Sequence, residues 1–207
     1  MGRAFRPVMA AFEERGDRRS IVCAGLSLDF ERVNDRWTHA IALTLLGLPH
    51  TIARSVEWDD RRDDRSRVIS PVFQELHFQT DVSGIHQALL VGMSGNHHFS
   101  AVFSFGESTE GVAIDVDVAD RVRGDVVAVG STYSVSLASG DLVACDESKI
   151  VWGVADHRLL FVAGRDVQIG LAEAGRQATH VQAGIVVKPV SPTHRWRYSW
   201  HYLLGTD

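Results

Sequence analysis

The sequence predicts an all-β protein built from antiparallel strands. Apolar residues alternate with polar ones through most of the chain, as they do in strands that bury one face. Short segments rich in Gly, Pro, Ser and Asp separate these alternating runs. No helical pattern of about 10–15 residues lies between successive strands, so parallel βαβ units are disfavoured. We expect about ten antiparallel strands in either a closed β-barrel or a two-layer β-sandwich.

One short helix is predicted at the start of the chain, over about residues 5–15. The apolar residues there have the spacing of one helical face: Phe5, Val8, Met9 and Phe12. Gly16 follows the charged segment "EER" and is suited to a helix C-terminus. We expect this helix to cover one end of the strand structure.

The clearest strands lie in the second half of the chain. In the segment 112–118 the even positions are apolar, and Asp115 and Asp117 lie on the opposite face. The same alternation occurs at 99–105, 127–137, 181–187 and 196–204. Further strands, bounded by turn residues, are predicted at 21–30, 37–46, 52–58, 72–78, 87–91, 149–154, 159–162 and 167–171.

Composition and charge restrict the classes of function. A chain of 207 residues fits one domain over residues 1–207, and a net charge of −5 argues against a nucleic-acid partner. No apolar run approaches the ~18 residues of a membrane span, so no membrane partner is expected. The first twenty residues lack the apolar core of a signal peptide, and Cys23 and Cys145 form no CxxC motif. We expect a soluble, cytoplasmic protein with two reduced, buried thiols.

Motifs of known catalytic chemistry are missing from the sequence. It contains no GxSxG, HExxH or Walker A motif, and no GxGxxG follows a predicted strand. Whether the protein is an enzyme is therefore left open.

A divalent-metal site is one hypothesis, with Glu75, His77, His97 and His98 as the ligands. Glu75 and His77 share one face of a predicted strand, about 6.6 Å apart, and both residue types bind zinc or iron. Adjacent residues of a strand point to opposite faces, so only one of His97 and His98 joins such a site. The simpler interpretation is a buried imidazole at a strand end, hydrogen-bonded to the backbone.

The spacing of Glu75 and His77 is similar to the strand arrangement of cupins. That family places two histidines two residues apart and follows them with a glutamate. This sequence has a single histidine at that spacing and lacks the surrounding glycine pattern. The resemblance is limited to the general outline of the fold. If the strands close into a barrel, we expect it to be lipocalin-like or cupin-like in outline.

Charged residues on two predicted strands suggest a second kind of site. Asp115 and Asp117 share one strand face, and Arg195 and Arg197 share one face of the last strand. Together they form either the acidic and basic walls of a site for a cation or a phosphorylated substrate, or cross-strand ion pairs on a solvated sheet face. The ion pairs require fewer assumptions.

The last strand carries the residues that we predict to bind a ligand. Its two faces are an aromatic ladder and a polar row, which supply Trp196, Tyr198, Trp200, Arg195, Arg197 and His201. The ladder either closes the core, lines a ligand cavity, or forms the face of a homodimer, because aromatic residues are enriched in all three settings.

Three hypotheses about function follow. The first is a non-catalytic module that binds a small, partly apolar molecule inside the β-structure. The second is a metal-dependent enzyme with the Glu75 and His77 site on its strands. The third is a structural or interaction protein that dimerises through the C-terminal aromatic strand.

Overall fold

The computed structural model describes residues 10–57, 70–108, 111–122, 126, 129–136, 140–173, 179–185 and 191–203. In these residues the chain forms sixteen strands in two eight-stranded antiparallel sheets. Sheet I contains, in spatial order, β1 (Ala11–Arg15), β2 (Arg18–Cys23), β3 (Leu26–Val33), β4 (Arg36–Leu45), β5 (Leu48–Val56), β10 (Val129–Val135), β15 (Thr179–Ile185) and β14 (Gln168–Glu173). Sheet II contains β11 (Gly140–Cys145), β12 (Lys149–Val154), β13 (His157–Ala163), β16 (Thr193–Leu203), β9 (Gly111–Val122), β8 (His97–Ser108), β7 (His86–Ser94) and β6 (Glu75–Thr80).

The two sheets form a sandwich, and the closed barrel is wrong. Each sheet ends in strands with a single hydrogen-bonded neighbour, β1 and β14 in sheet I and β11 and β6 in sheet II. The inner faces meet through aromatic rings. Phe30 of sheet I lies 5.9 Å from Phe103 of sheet II, and Tyr133 lies 5.3 Å from Trp200. The two-layer alternative from the sequence therefore fits.

The helix predicted over residues 5–15 is also wrong, in the part of that range that the structure describes. Residues 11–15 form β1, which pairs with β2 through a two-residue turn at Gly16 and Asp17. Gly16 has a φ of 61°, which such hairpin turns require, so it is a turn residue and not the predicted helix C-terminus. Phe12 stacks on Phe78 of sheet II at 4.9 Å. The other three residues of the predicted apolar face lie outside the described residues.

The chain has more strands than the expected ten because some hairpin turns lack obvious turn residues. The predicted strand 21–30 is in fact β2 and β3, joined at Ala24 and Gly25 with φ values of 43° and 85°. Two consecutive positive φ values are the requirement of a type I′ turn. Alanine is not a residue that signals this conformation.

The alternation that predicted the strands is confirmed by burial. The inward positions of β8, β9 and β16 are all buried: Phe99, Ala101, Phe103, Phe105, Val112, Ile114, Val116, Val118, Trp196, Tyr198, Trp200 and Tyr202. The opposite faces carry Asp115, Asp117, Arg195 and Arg197 and are partly or fully exposed. Sheet II therefore has one dry face and one polar face.

The two cysteines are free, as expected, but they differ in burial. Cys23 is buried, and burial raises its pKa to about 11. Cys145 is exposed on β11, so the expectation of two buried thiols is wrong for this residue. The described part of the chain contains no helix with the length and apolarity that a membrane span requires.

Candidate functional site

The outer face of sheet II carries a groove of about 420 Å³, here called the outer groove. It crosses four adjacent strands, where a polar row runs from Gln87 on β7 through Ser104 and Asp115 to Ser199 on β16. These residues are direct partners in the strand register, so their side chains point to the same face at the spacing of neighbouring strands, about 4.8 Å. Gln87 Nε2 donates a hydrogen bond to Ser104 Oγ at 3.2 Å.

Apolar side chains and a glycine complete the groove. Ile85, Val102 and Ala163 contribute its apolar lining. Gly164 lies against the last strand, where its amide donates to the Arg197 carbonyl at 2.8 Å. A methyl group at Gly164 would lie 2.9 Å from the Arg197 Cβ, so glycine permits this close approach. The groove therefore combines an apolar surface with a row of hydrogen-bonding groups.

An ion-pair cluster forms one side of the outer groove. Arg195 donates to both oxygens of Asp117, from Nε at 2.6 Å and from Nη2 at 2.5 Å, and Arg197 Nε donates to Asp117 Oδ2 at 2.7 Å. The hydrogen bonds and the charge of Asp117 raise the pKa of Arg195. Both arginines are more than half exposed, and the Asp117 side chain is 24% exposed. These contacts confirm the cross-strand ion pairs and fix Arg197 at the groove.

The residues predicted to bind a ligand divide between two environments. Trp196, Tyr198 and Trp200 are buried between the sheets, where they close the core. The polar row of the same strand faces outward: Arg197 lines the outer groove and Arg195 stands beside it. His201 lies on the same strand face but is buried, and its Nε2 lies 2.7 Å from Ser199 Oγ.

The predicted metal ligands are not brought together. Glu75 and His77 are exposed on the end strand β6, with 3.8 Å between Glu75 Oε2 and His77 Nε2. His97 faces inward and its Nδ1 lies 2.7 Å from Oδ2 of the fully buried Asp120, whereas His98 is exposed on the other face. Among the described residues, no group of three or more His, Cys, Asp or Glu side chains is placed to hold a metal ion.

A buried polar network between the sheets was not found by sequence reasoning. The hydroxyl of Tyr133 lies 2.9 Å from His39 Nε2 and 2.8 Å from the hydroxyl of Tyr198. Trp196 Nε1 donates to Ser131 Oγ at 3.0 Å in the same region. Burial lowers the pKa of His39 to about 3 and raises the pKa of Tyr198 to about 12. The alternation of strand faces could have indicated this network, because His39 and Ser131 lie on the same strand faces as apolar residues.

The space beside this network is small. The cavity that His39, Tyr133 and Tyr198 line has a volume of about 10 Å³. A cavity of that size holds about one water molecule. The cavity beside the network is therefore much smaller than the outer groove. The candidate ligand site is the outer groove of sheet II.

A second groove, of about 410 Å³, lies on the outer face of sheet I. Two of its carboxylates have hydrogen-bond partners: Arg18 Nη2 donates to Glu31 Oε1 at 2.9 Å, and Ser27 Oγ donates to Asp29 Oδ2 at 3.2 Å. Burial raises the pKa of Asp29, and the Ser27 hydrogen bond opposes that change.

Neither protein families nor curated proteins identify this site. No protein-family model matches the chain, and no curated protein sequence matches it.

Proposed function

We propose that this protein is a non-catalytic binding module that holds a small, partly apolar molecule in the outer groove of sheet II. The observation that carries the proposal is the groove itself, about 420 Å³ in volume and lined by both apolar and hydrogen-bonding side chains. Sites for small molecules have volumes of roughly 300–1,000 Å³ and this mixed lining. The location differs from the interior site expected from the sequence, because aromatic side chains fill the space between the sheets.

The charges of the groove indicate which ligands fit. Asp115, Asp117 and Arg197 line the groove, and Arg195 stands beside it on Asp117, so that the four formal charges cancel. Arg197 uses Nε for Asp117. A ligand that is neutral or zwitterionic and carries several hydroxyl or amide groups matches this pattern, because a net charge on the ligand would gain no net attraction here.

A groove-filling substitution tests the site. Ser104→Trp places a large side chain in the outer groove and leaves Asp117 and its two arginines unchanged. Ser20→Trp is the matched control, because Ser20 lines the groove of sheet I. Thermal unfolding is measured for each protein with a panel of monosaccharides, disaccharides, nucleosides and amino acids.

The proposal expects at least one compound of this panel to raise the Tm of the wild type and of Ser20→Trp, because a ligand that binds only the folded state stabilises it. The same compound leaves the Tm of Ser104→Trp unchanged. A shift that persists in Ser104→Trp places the site elsewhere. A panel that shifts no Tm contradicts a groove for small, partly apolar molecules that carry several hydroxyl or amide groups.

The other hypotheses have less support from the geometry. The metal-dependent enzyme loses its proposed constellation, because His97 faces the core while Glu75 and His77 lie exposed on β6. A homodimer through the aromatic strand lacks a surface, because those rings are buried. Dimerisation through another face, the cytoplasmic location and the single domain stay predictions.

A further inference from the structure

The hairpin between β4 and β5 ends in an exposed apolar tip, defined here as residues 45–48. The Leu46 side chain is fully exposed, and Leu48 is 63% exposed. Single exposed leucines are ordinary on protein surfaces, but here two of them flank one glycine at the end of one hairpin. Two exposed leucines therefore lie close together at the end of this hairpin.

In the part of the chain that the structure describes, the tip also extends beyond the strand pairing of sheet I. The last residue of β4 that pairs with β3 is Leu43, and the β5 pairing with β10 extends only to Ala53. Beyond these positions the described residues add a single backbone hydrogen bond on each side, from Thr44 to Gly25 and from Ser136 to Ile52. Among the residues that the structure describes, the tip has no further strand partner: Leu45 pairs with Leu48 across the turn, and its side chain packs partly against the core.

The backbone conformation at the end of the tip is unfavourable for a leucine. Leu46 has a φ of 51° and Gly47 a φ of 78°, which are the two positive values of a tight hairpin turn. A leucine in the left-handed region is strained, whereas Asn, Asp or Gly adopts this conformation easily. The chain keeps a strained, exposed apolar residue where a polar one would form the turn better. Strain of this kind is a sign of a functional constraint.

The sequence of the hairpin itself lacks charged residues. From Ala40 to Ala53 the sequence contains no Asp, Glu, Lys or Arg, although these residues make up 23% of the chain. A surface that enters an apolar medium must avoid charged groups, because their desolvation is costly. The hairpin is therefore suited to an apolar environment.

We propose that the tip inserts Leu46 and Leu48 into the surface of a lipid bilayer. A stable protein interface needs about 800 Å² from each partner. Two leucine side chains supply on the order of 200 Å², so they are too small an anchor for a second copy of this chain. A bilayer surface accepts a narrow wedge of this size, and its depth of about 5–10 Å suits a hairpin tip. The expectation of no membrane partner rested on the lack of a spanning segment, which peripheral insertion does not require.

Vesicle flotation tests this insertion. The full chain is mixed with vesicles of phosphatidylcholine, and in a second arm with vesicles that also contain phosphatidylserine. The variant Leu46→Ser/Leu48→Ser removes the apolar tip. The control Leu142→Ser/Val143→Ser removes two other exposed apolar side chains, 53% and 58% exposed on β11. Thermal unfolding verifies that each variant folds.

Two leucines bury less apolar area than a single acyl chain, so the wild type and the β11 control are expected to float in part, with phosphatidylcholine vesicles in large excess. The tip variant is expected to bind about tenfold more weakly for each leucine removed. Phosphatidylserine is expected to add nothing, because the hairpin carries no Lys or Arg. Equal binding by the tip variant, or no binding of the wild type to phosphatidylcholine, overturns the proposal. Light scattering that shows a dimer in the wild type and a monomer in the tip variant also overturns it, since a second copy is then the occupant.

Discussion

Removal of one buried hydroxyl tests how the two sheets are held together. Tyr133 is fully buried and stands at the centre of the polar network, with its hydroxyl 2.9 Å from His39 Nε2 on its own sheet and 2.8 Å from the Tyr198 hydroxyl on the other. Tyr133→Phe keeps the ring and its packing. It removes one partner from each of two groups that have no access to bulk solvent.

The magnitude follows from those two groups. A buried polar group left without a partner costs about 1–3 kcal/mol. Two such groups give about 2–6 kcal/mol, and two features of the structure reduce that range. Tyr198 has a second hydrogen bond, with Ser131. The adjacent cavity of about 10 Å³, enlarged by the lost oxygen, admits a water molecule that restores part of the network. We expect a loss of about 2–4 kcal/mol.

Urea unfolding at pH 7 measures this loss as a change in the midpoint with a constant m value. Tyr202→Phe is the control. Tyr202, on β16, is buried and faces inward as Tyr133 does, but it lies outside the network. We expect the control to change the free energy of unfolding by less than about 0.5 kcal/mol. A loss below about 1 kcal/mol for Tyr133→Phe would refute the reasoning, since the hydroxyl would then contribute no more than an exposed one.

Two further predictions concern pH and backbone packing. Burial lowers the pKa of His39 to about 3. The unfolded chain binds this proton below about pH 6.5, so the free energy of unfolding falls on acidification from pH 6.5 towards 3, by up to about 1.4 kcal/mol per pH unit. Urea unfolding between pH 4 and 7 should show a shallower slope for His39→Gln than for the exposed His50→Gln, and equal slopes would contradict it. Gly92→Ala should lower the Tm through a loss of about 1–3 kcal/mol, because its Cβ would lie 2.6 Å from the Phe73 Cα. Gly153→Ala, where the nearest atom is 3.4 Å away, should keep the Tm nearly unchanged.

The strands of sheet II were predictable because their burial is strictly one-sided. Alternation in β9 and β16 placed Val116 and Trp200 inside and Asp117 and Arg197 outside, and the structure has the same faces. The N-terminal helix failed because a few apolar residues satisfied the helical spacing by chance. Pairing of β1 with β2 decided the conformation, and that is a tertiary effect which local propensity does not determine.

The site was only partly predictable, for a different reason. The alternation of apolar and polar positions assigned Arg197 and Asp115 to the polar faces of their strands, but it did not give the order of the strands in the sheet. Only the placement of β9 between β8 and β16 joins Ser104, Asp115 and Ser199 into one row. Periodicity also did not distinguish an aromatic ladder that fills a core from one that lines a cavity, because both bury the same residues.

Amide chemical-shift mapping of the wild type with a compound that raises its Tm tests the proposed groove most directly. We predict that the largest shifts occur at Ser104, Asp115, Asp117, Arg197 and Ser199, on three adjacent strands of sheet II. Shifts concentrated on sheet I, or spread through the buried residues between the sheets, would contradict it.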